Sequence, residues 1–239
     1  RNRVANQLKF KLYRDHLNDL VLARTRQLAL TQEATIHAMA SLAEWRDTET
    51  GAHIKRTQNY VKALAVYISQ LPEYRDELDA DAISWLYLSA PLHDVGKVAI
   101  ADTVLHKPGP LTDEEYEAMK EHTTLGRAVL ASADKFLGEN SFLRIASDIA
   151  YCHHERWDGK GYPRGIAGKD IPLSARLMSV ADVYDALRSK RVYKPAMPHE
   201  TAMRIIVEGR GTQFDPEVVD AFLAMQEQFR SIAAKYSDM

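Results

Sequence analysis

Cysteine, long apolar runs and an excess of either charge are all scarce in this 239-residue chain. The single cysteine, Cys152, excludes an intrachain disulfide and suits a reducing compartment, so a cytoplasmic location is expected. Its expected role is that of a small buried apolar residue. No run approaches the ~20 apolar residues a membrane span needs, and no signal-peptide pattern opens the sequence. No membrane partner is therefore expected. Lys and Arg total 31 against 33 Asp and Glu, a net charge of −2, which argues against a nucleic-acid partner. Alternating strand patterns are missing as well, so the expected fold class is all-α. The chain opens on Arg1 rather than Met, and a piece of a longer protein is expected.

Residues 1–32 lack glycine and proline, and Phe10, Tyr13, Leu17 and Leu20 recur at 3-4-3 spacing. We read this segment as a linker helix from a missing N-terminal domain. Its stripe suits pairing with a second copy, so a homodimer through this helix is expected. Further helices are expected over 33–46, 52–71, 79–92, 112–132, 141–154, 173–188, 198–208 and 216–235. Ile36, Met39, Ala40 and Ala43 share one face of the first. Thr112 with Glu115 makes a capping box, and Asp215-Pro216 an N-cap followed by Pro at N1. Residues 98–111 and 155–172 read as loops. The second carries Trp157 and Tyr162 and is a shaped element rather than a linker.

The chemistry gathers around His93-Asp94-Val95-Gly96-Lys97. His93 and Asp94 are joined by Glu49, His53, His122, His153, His154 and Asp182. Five of the nine histidines fall in this set. His16, His37, His106 and His199 do not sit with other ligand-type residues. Imidazole and carboxylate donors without thiolates suit Fe, Mn, Zn, Ni or Mg. Five His, one Glu and two Asp exceed one ion's needs and suit two or three divalent metals. Glu49 and His53, four apart, point the same way at a helix start. His93 and Asp94 converge only where the helix ends, and Gly96 allows the backbone to bend there. Paired metals are a recurring device for displacement at phosphorus. Asp94, with two oxygens, is the natural bridge, and Lys97 can neutralise phosphoryl charge.

These residues resemble the HD-GYP branch of the HD phosphohydrolase superfamily. The match runs through Thr48-Glu49-Thr50-Gly51-Ala52-His53, His93-Asp94-Val95-Gly96-Lys97, His122, His153-His154-Glu155-Arg156-Trp157-Asp158-Gly159 and Gly161-Tyr162-Pro163. It continues through Ser179 to Leu187, Arg191-Val192-Tyr193 and Gly211-Thr212-Gln213-Phe214-Asp215-Pro216.

The resemblance implies an HD-domain helical bundle over 33–239, after the linker helix. It implies a phosphodiesterase that hydrolyses cyclic di-GMP to linear pGpG, in some members onward to GMP, by a metal-activated hydroxide. Fe or Mn are the first expected ions, with Ni, Mg or Zn also compatible. Asp94 and Lys97 are the expected catalytic residues. The expected metal ligands are Glu49, His53, His93, Asp94, His122, His153, His154 and Asp182. Arg191, Lys194 and Tyr162 are the expected substrate contacts, and Asp158, Tyr184 and Asp185 are expected to support ligands. Residues 24–35 resemble the segment that follows a response-regulator receiver domain, and a GGDEF-domain protein or another signalling protein is an expected partner. The alternative reading is a low-turnover receptor that binds the dinucleotide and signals through the linker helix.

Overall fold

The computed structural model describes residues 2–46, 51–136, 141–189 and 196–237. Among them the chain is helical, and the one β-type pairing is an isolated bridge between Arg210 and Phe214. Two compact units divide it, Arg1–Ala38 and Met39–Met239.

Helix α1 (Asn2–Trp45) runs unbroken through both expected N-terminal segments, because no glycine or proline interrupts 1–45. In the first unit Phe10, Tyr13, Leu17 and Leu20 all lie exposed. In the second unit the last turns of α1 bury Ala40 and Ala43, whereas Met39, expected on the same face, is exposed.

The second unit continues with α2 (Gly51–Ile68), α3 (Ala80–Ser89), a short α4 (Asp102–Leu105) and α5 (Asp113–Asp134). Then come α6 (Phe142–Cys152), α7 (Leu173–Arg188), α8 (His199–Glu208), α9 (Pro216–Ala224) and α10 (Gln226–Lys235). The capping box of α5 is formed: Glu115 N–H donates to Thr112 Oγ1 at 3.3 Å and Thr112 N–H to Glu115 Oε2 at 2.7 Å. Asp215 caps α9 by accepting from Glu217 N–H at 2.8 Å.

Two local expectations change. The 98–111 loop contains α4, and the helix expected over 216–235 breaks at Met225 into α9 and α10. That break turns Phe229 into the core, where its ring stacks on Tyr60 at 4.4 Å between centroids. Tyr60, Leu64, Ile149, Leu177, Tyr184 and Phe222 form the rest of the centre, so α2, α6 and α7 meet around one apolar interior. Cys152 sits with Ile171 and Ala175, and burial pushes its thiol up to about 12. That is the inert, buried thiol expected from its composition.

No helix among the described residues is long and apolar enough to cross a membrane.

Candidate metal centre

Each ligand-type side chain is delivered by a helix or a helix end. α3 stops at Ser89 because Pro91 follows, and a 3-10 turn over Ala90–Leu92 carries the chain into His93. His93 remains right-handed helical, but Asp94 moves to φ −103° and ψ 12°. That single break lets two adjacent side chains face one centre. A second 3-10 turn, Val95–Ala99, then presents Lys97 one turn from Asp94.

Gly96 acts differently from its expected role. Its φ is not in the left-handed region, so no special conformation is needed there. It is required by close approach: a Cβ at Gly96 would lie 1.9 Å from the His122 carbonyl oxygen and 2.6 Å from Gly126 N. The two glycines let the 95–99 turn lie directly on α5, which brings Asp94 to His122. Arg46, at the end of α1, holds the other side of this turn. Its guanidinium donates to the carbonyls of Val98 and Ile100, the latter at 3.1 Å, and to Asp102 at 2.6 Å.

Two groups of ligand atoms result. His53, His93 and Asp182 form one, and Asp94, His122, His153 and His154 the other, with the ligand atoms of each within 4.8 Å of one another. Asp94 stands between them. Its Oδ2 faces His93 Nε2 at 3.4 Å, while its Oδ1 faces His122 Nε2 at 3.3 Å and His153 Nε2 at 3.5 Å. Lys97 Nζ meets Oδ2 at 2.7 Å. Asp182 Oδ1 lies 3.9 Å from both His53 Nε2 and His93 Nε2.

The second nitrogen of each ring decides what the first can do. Nδ1 of His93, His122 and His153 lies 3.0, 2.7 and 3.0 Å from the carbonyls of Ala90, Met119 and Ile149. A carbonyl only accepts, so each Nδ1 carries the proton and a neutral ring leaves Nε2 as a bare lone pair. His53 reaches the same state by another route, with Nδ1 2.8 Å from Asp185 Oδ2.

The residues therefore fit a cation. The Nε2 atoms of His93, His122 and His153 and Oδ1 of Asp94 are buried and make no hydrogen bond. Each such acceptor left without a donor would cost ~1–3 kcal/mol of desolvation. A divalent ion in each group would satisfy them, His93 in one and Asp94 Oδ1, His122 and His153 in the other, and the nitrogen and oxygen set is the one such ions take.

Protonation of His122, His154 and Asp94 agrees with that donor set. Burial pulls His122 down to about 4 and, with His153 beside it, holds His154 well below its usual value. Burial alone would lift Asp94, but Lys97 and His93 outweigh it and keep the carboxyl well below its usual range. His93 runs the other way: although burial lowers it, the Asp94 and Asp182 carboxylates raise it, so without a cation its ring favours the protonated form that a bound ion would displace.

In the 155–172 loop, Tyr162 stacks on His154 with centroids 4.7 Å apart and planes at 28°. Lys120 Nζ lies 5.6 Å from the Tyr162 ring centre. Gly161 permits the turn, since a Cβ there would lie 2.4 Å from Arg156 N. The loop is braced from Gly211 to Pro216: Trp157 N–H donates to Gln213 O at 3.2 Å and Asp158 N–H to Thr212 O at 2.8 Å. Asp158 itself binds Arg156, and Tyr184 binds His199 Nδ1 at 2.8 Å, so of the three expected supports only Asp185 reaches a ligand-type residue in these bonds. Glu49, Arg191 and Lys194 lie outside the described residues. Arg56 and Gly126 were not singled out by sequence reasoning. The signal for Arg56 was its position one turn beyond His53, matching Asp185 one turn beyond Asp182.

An all-helical scaffold that converges histidines and aspartates on a buried centre defines the HD class, a metal-dependent one. The family model described as "HD domain" matches residues 37–218. The chain belongs to the HD domain family and, with its Gly161-Tyr162-Pro163 loop, to the HD-GYP branch. It is 56% identical over 220 residues to a cyclic di-GMP phosphodiesterase of Vibrio cholerae, covering 92% of this chain and 45% of that protein. It is 37% identical over 221 residues to the cyclic di-GMP phosphodiesterase response regulator RpfG of Xanthomonas campestris, covering 92% and 55%. A 3′3′-cGAMP-specific phosphodiesterase of V. cholerae is 37% identical over 208 residues, covering 87% and 37%. The chain thus spans about half the length, or less, of these curated relatives. In fold it is similar to a solved cyclic GMP-AMP-specific phosphodiesterase of V. cholerae, with TM-score 0.56, 17% identity and coverage of 85% of this chain and 51% of that one.

Proposed function

We propose that this chain hydrolyses cyclic di-GMP to the linear dinucleotide. The observation that carries the reading is Asp94, whose two oxygens face the two ligand groups separately. That is the arrangement a paired-metal phosphodiesterase needs. The 56%-identical relative, a cyclic di-GMP phosphodiesterase, supports cyclic di-GMP as the substrate.

His53, His93 and Asp182 would hold one divalent ion, and Asp94, His122, His153 and His154 the other. Glu49 either completes the first position or helps hold a third ion. Fe or Mn suits this imidazole and carboxylate set. Bound ions supply positive charge to the phosphoryl oxygens and bring the pKa of water toward neutrality.

The chain's own residues do the rest. The Nδ1–H bonds fix the His53, His93, His122 and His153 rings so that none of these turns away during turnover. Lys97 offers its ammonium to the charge that develops on the phosphoryl oxygens. Tyr162 is raised well above its usual value by burial, so its phenol stays neutral and donates a hydrogen bond to a substrate phosphate. Arg191 and Lys194 follow closely in sequence on α7, the helix that carries Asp182, and they bind phosphate. The exposed stripe of α1 pairs two copies, and an N-terminal receiver or a GGDEF-domain partner acts through it.

The test is turnover by Fe- or Mn-loaded chain prepared without oxygen, with cyclic di-GMP and 3′3′-cGAMP compared. Linear dinucleotide from cyclic di-GMP at the higher kcat/KM is expected. Preference for 3′3′-cGAMP would move the substrate, and tight binding without turnover would establish the receptor reading.

A further inference from the structure

We infer that Arg56 and Asp185 form a buried ion pair that positions His53, and so controls one of the two metal positions without touching the other. The inference rests on the metal reading of the site, but not on the identity of the substrate.

The geometry is a two-layer arrangement. On α2, His53 and Arg56 are one turn apart. On α7, Asp182 and Asp185 are also one turn apart. Residues at i and i+3 lie on the same helix face. The two helices therefore meet with one layer of ligand-type groups, His53 and Asp182, and a layer of opposite charges beneath it, Arg56 and Asp185.

The lower layer is fully engaged with the upper. Arg56 Nε donates to Asp185 Oδ1 at 2.7 Å and Nη2 to Oδ2 at 2.9 Å, a two-point fork. Asp185 Oδ2 also faces His53 Nδ1 at 2.8 Å. A carboxylate clasped by a guanidinium is an acceptor only. His53 Nδ1 must then carry the ring proton, and Nε2 is left bare toward His93 and Asp182. Asp185 is wholly buried and Arg56 nearly so, so water cannot replace either partner.

Arg56 extends the support beyond the two helices. Nη2 donates to Ser189 Oγ at 2.8 Å, directly after α7, and Nη1 to the Tyr236 carbonyl at 2.8 Å, directly after α10. One guanidinium thus ties α2 to the end of α7 and to the end of the last helix. His122 and His153 in the other group have no such dependence, because their Nδ1 partners are carbonyls of their own helices.

The experiment is Mn²⁺ binding to the metal-free chain, with stoichiometry and affinity read by calorimetry and elemental analysis. The variants are Asp185→Asn, the paired Arg56→Gln/Asp185→Asn, and Arg56→Lys. In Asp185→Asn we expect one class of Mn²⁺ site to weaken on the order of 10- to 100-fold, with the other unchanged. The paired variant, which leaves no unmatched buried charge, keeps the fold testable if the single variant does not fold. It should show the same selective loss. Arg56→Lys, which keeps the charge and loses the fork, should recover part of the affinity. Wild-type affinity at every site in the paired variant overturns the inference. So does equal weakening of all sites, which would mark a merely structural pair. A wild-type chain that binds Mn²⁺ at both sites but turns over no cyclic dinucleotide sinks the functional reading and leaves this inference standing.

Discussion

His53 is supported in a different way from His122 and His153. His122 and His153 are oriented by carbonyls three or four residues back in their own chain, at 2.7 and 3.0 Å. His53 is oriented by Asp185, which is 132 residues away and is itself held by Arg56. The first kind of support forms whenever its helix forms. The second needs α2 and α7 docked in register. Local support fixes the His122 and His153 rings, whereas tertiary support makes His53 sensitive to how the helices pack. Asp94 joins the two ligand groups and belongs to both.

That contrast can be broken at its shared member. Asp94→Ala should remove the carboxylate from both groups, lowering kcat by ~1,000-fold or more, in line with the several kcal/mol that charge stabilisation contributes. Metal analysis should show a loss at both positions. Retention of both metals together with activity would refute the bridging role.

Gly96→Ala separates the groups instead. The new methyl collides with α5 backbone, and forcing the 95–99 turn off α5 should cost at least the ~1–3 kcal/mol of an overpacked core. Thermal unfolding should show a lowered Tm. Metal loss should fall on the His122 side before the His53 side. An unchanged Tm would show that the close approach is unimportant.

Arg191→Ala should raise KM by ~10- to 100-fold, the loss of a charged hydrogen bond to phosphate, with metal content unchanged. An unchanged KM refutes the phosphate role. Tyr162→Phe, which removes one neutral donor worth ~1 kcal/mol, should raise KM about fivefold with the metal sites intact. A change in metal content instead would place Tyr162 among the supports of His154, on which it stacks.

The same contrast governs what could be read from sequence. The helices announce themselves locally, through periodicity, the Thr112–Glu115 box and the Asp215-Pro216 start. His93-Asp94 and His153-His154 fall at helix ends for reasons visible in the neighbouring residues. Residue types alone gathered His53, His93, Asp94, His122, His153, His154 and Asp182. Arg56 escaped because an arginine on an amphipathic helix reads as a solvated charge until its partner helix is known. Gly96 was noticed for the wrong reason: its contact with α5 depends on packing between distant elements, which no local pattern encodes. The break at Met225 escaped for a similar reason. The sequence continues with good helix formers, and the turn serves Phe229, whose partners Tyr60 and Tyr184 lie far away in the chain.

The central claim is that two divalent ions sit on either side of Asp94. Anomalous scattering from a crystal of Mn-loaded chain tests it directly. The account predicts two peaks, one among His53, His93 and Asp182 and one among His122, His153 and His154, with an Asp94 oxygen bound to each. A single peak, or metal away from Asp94, would contradict it.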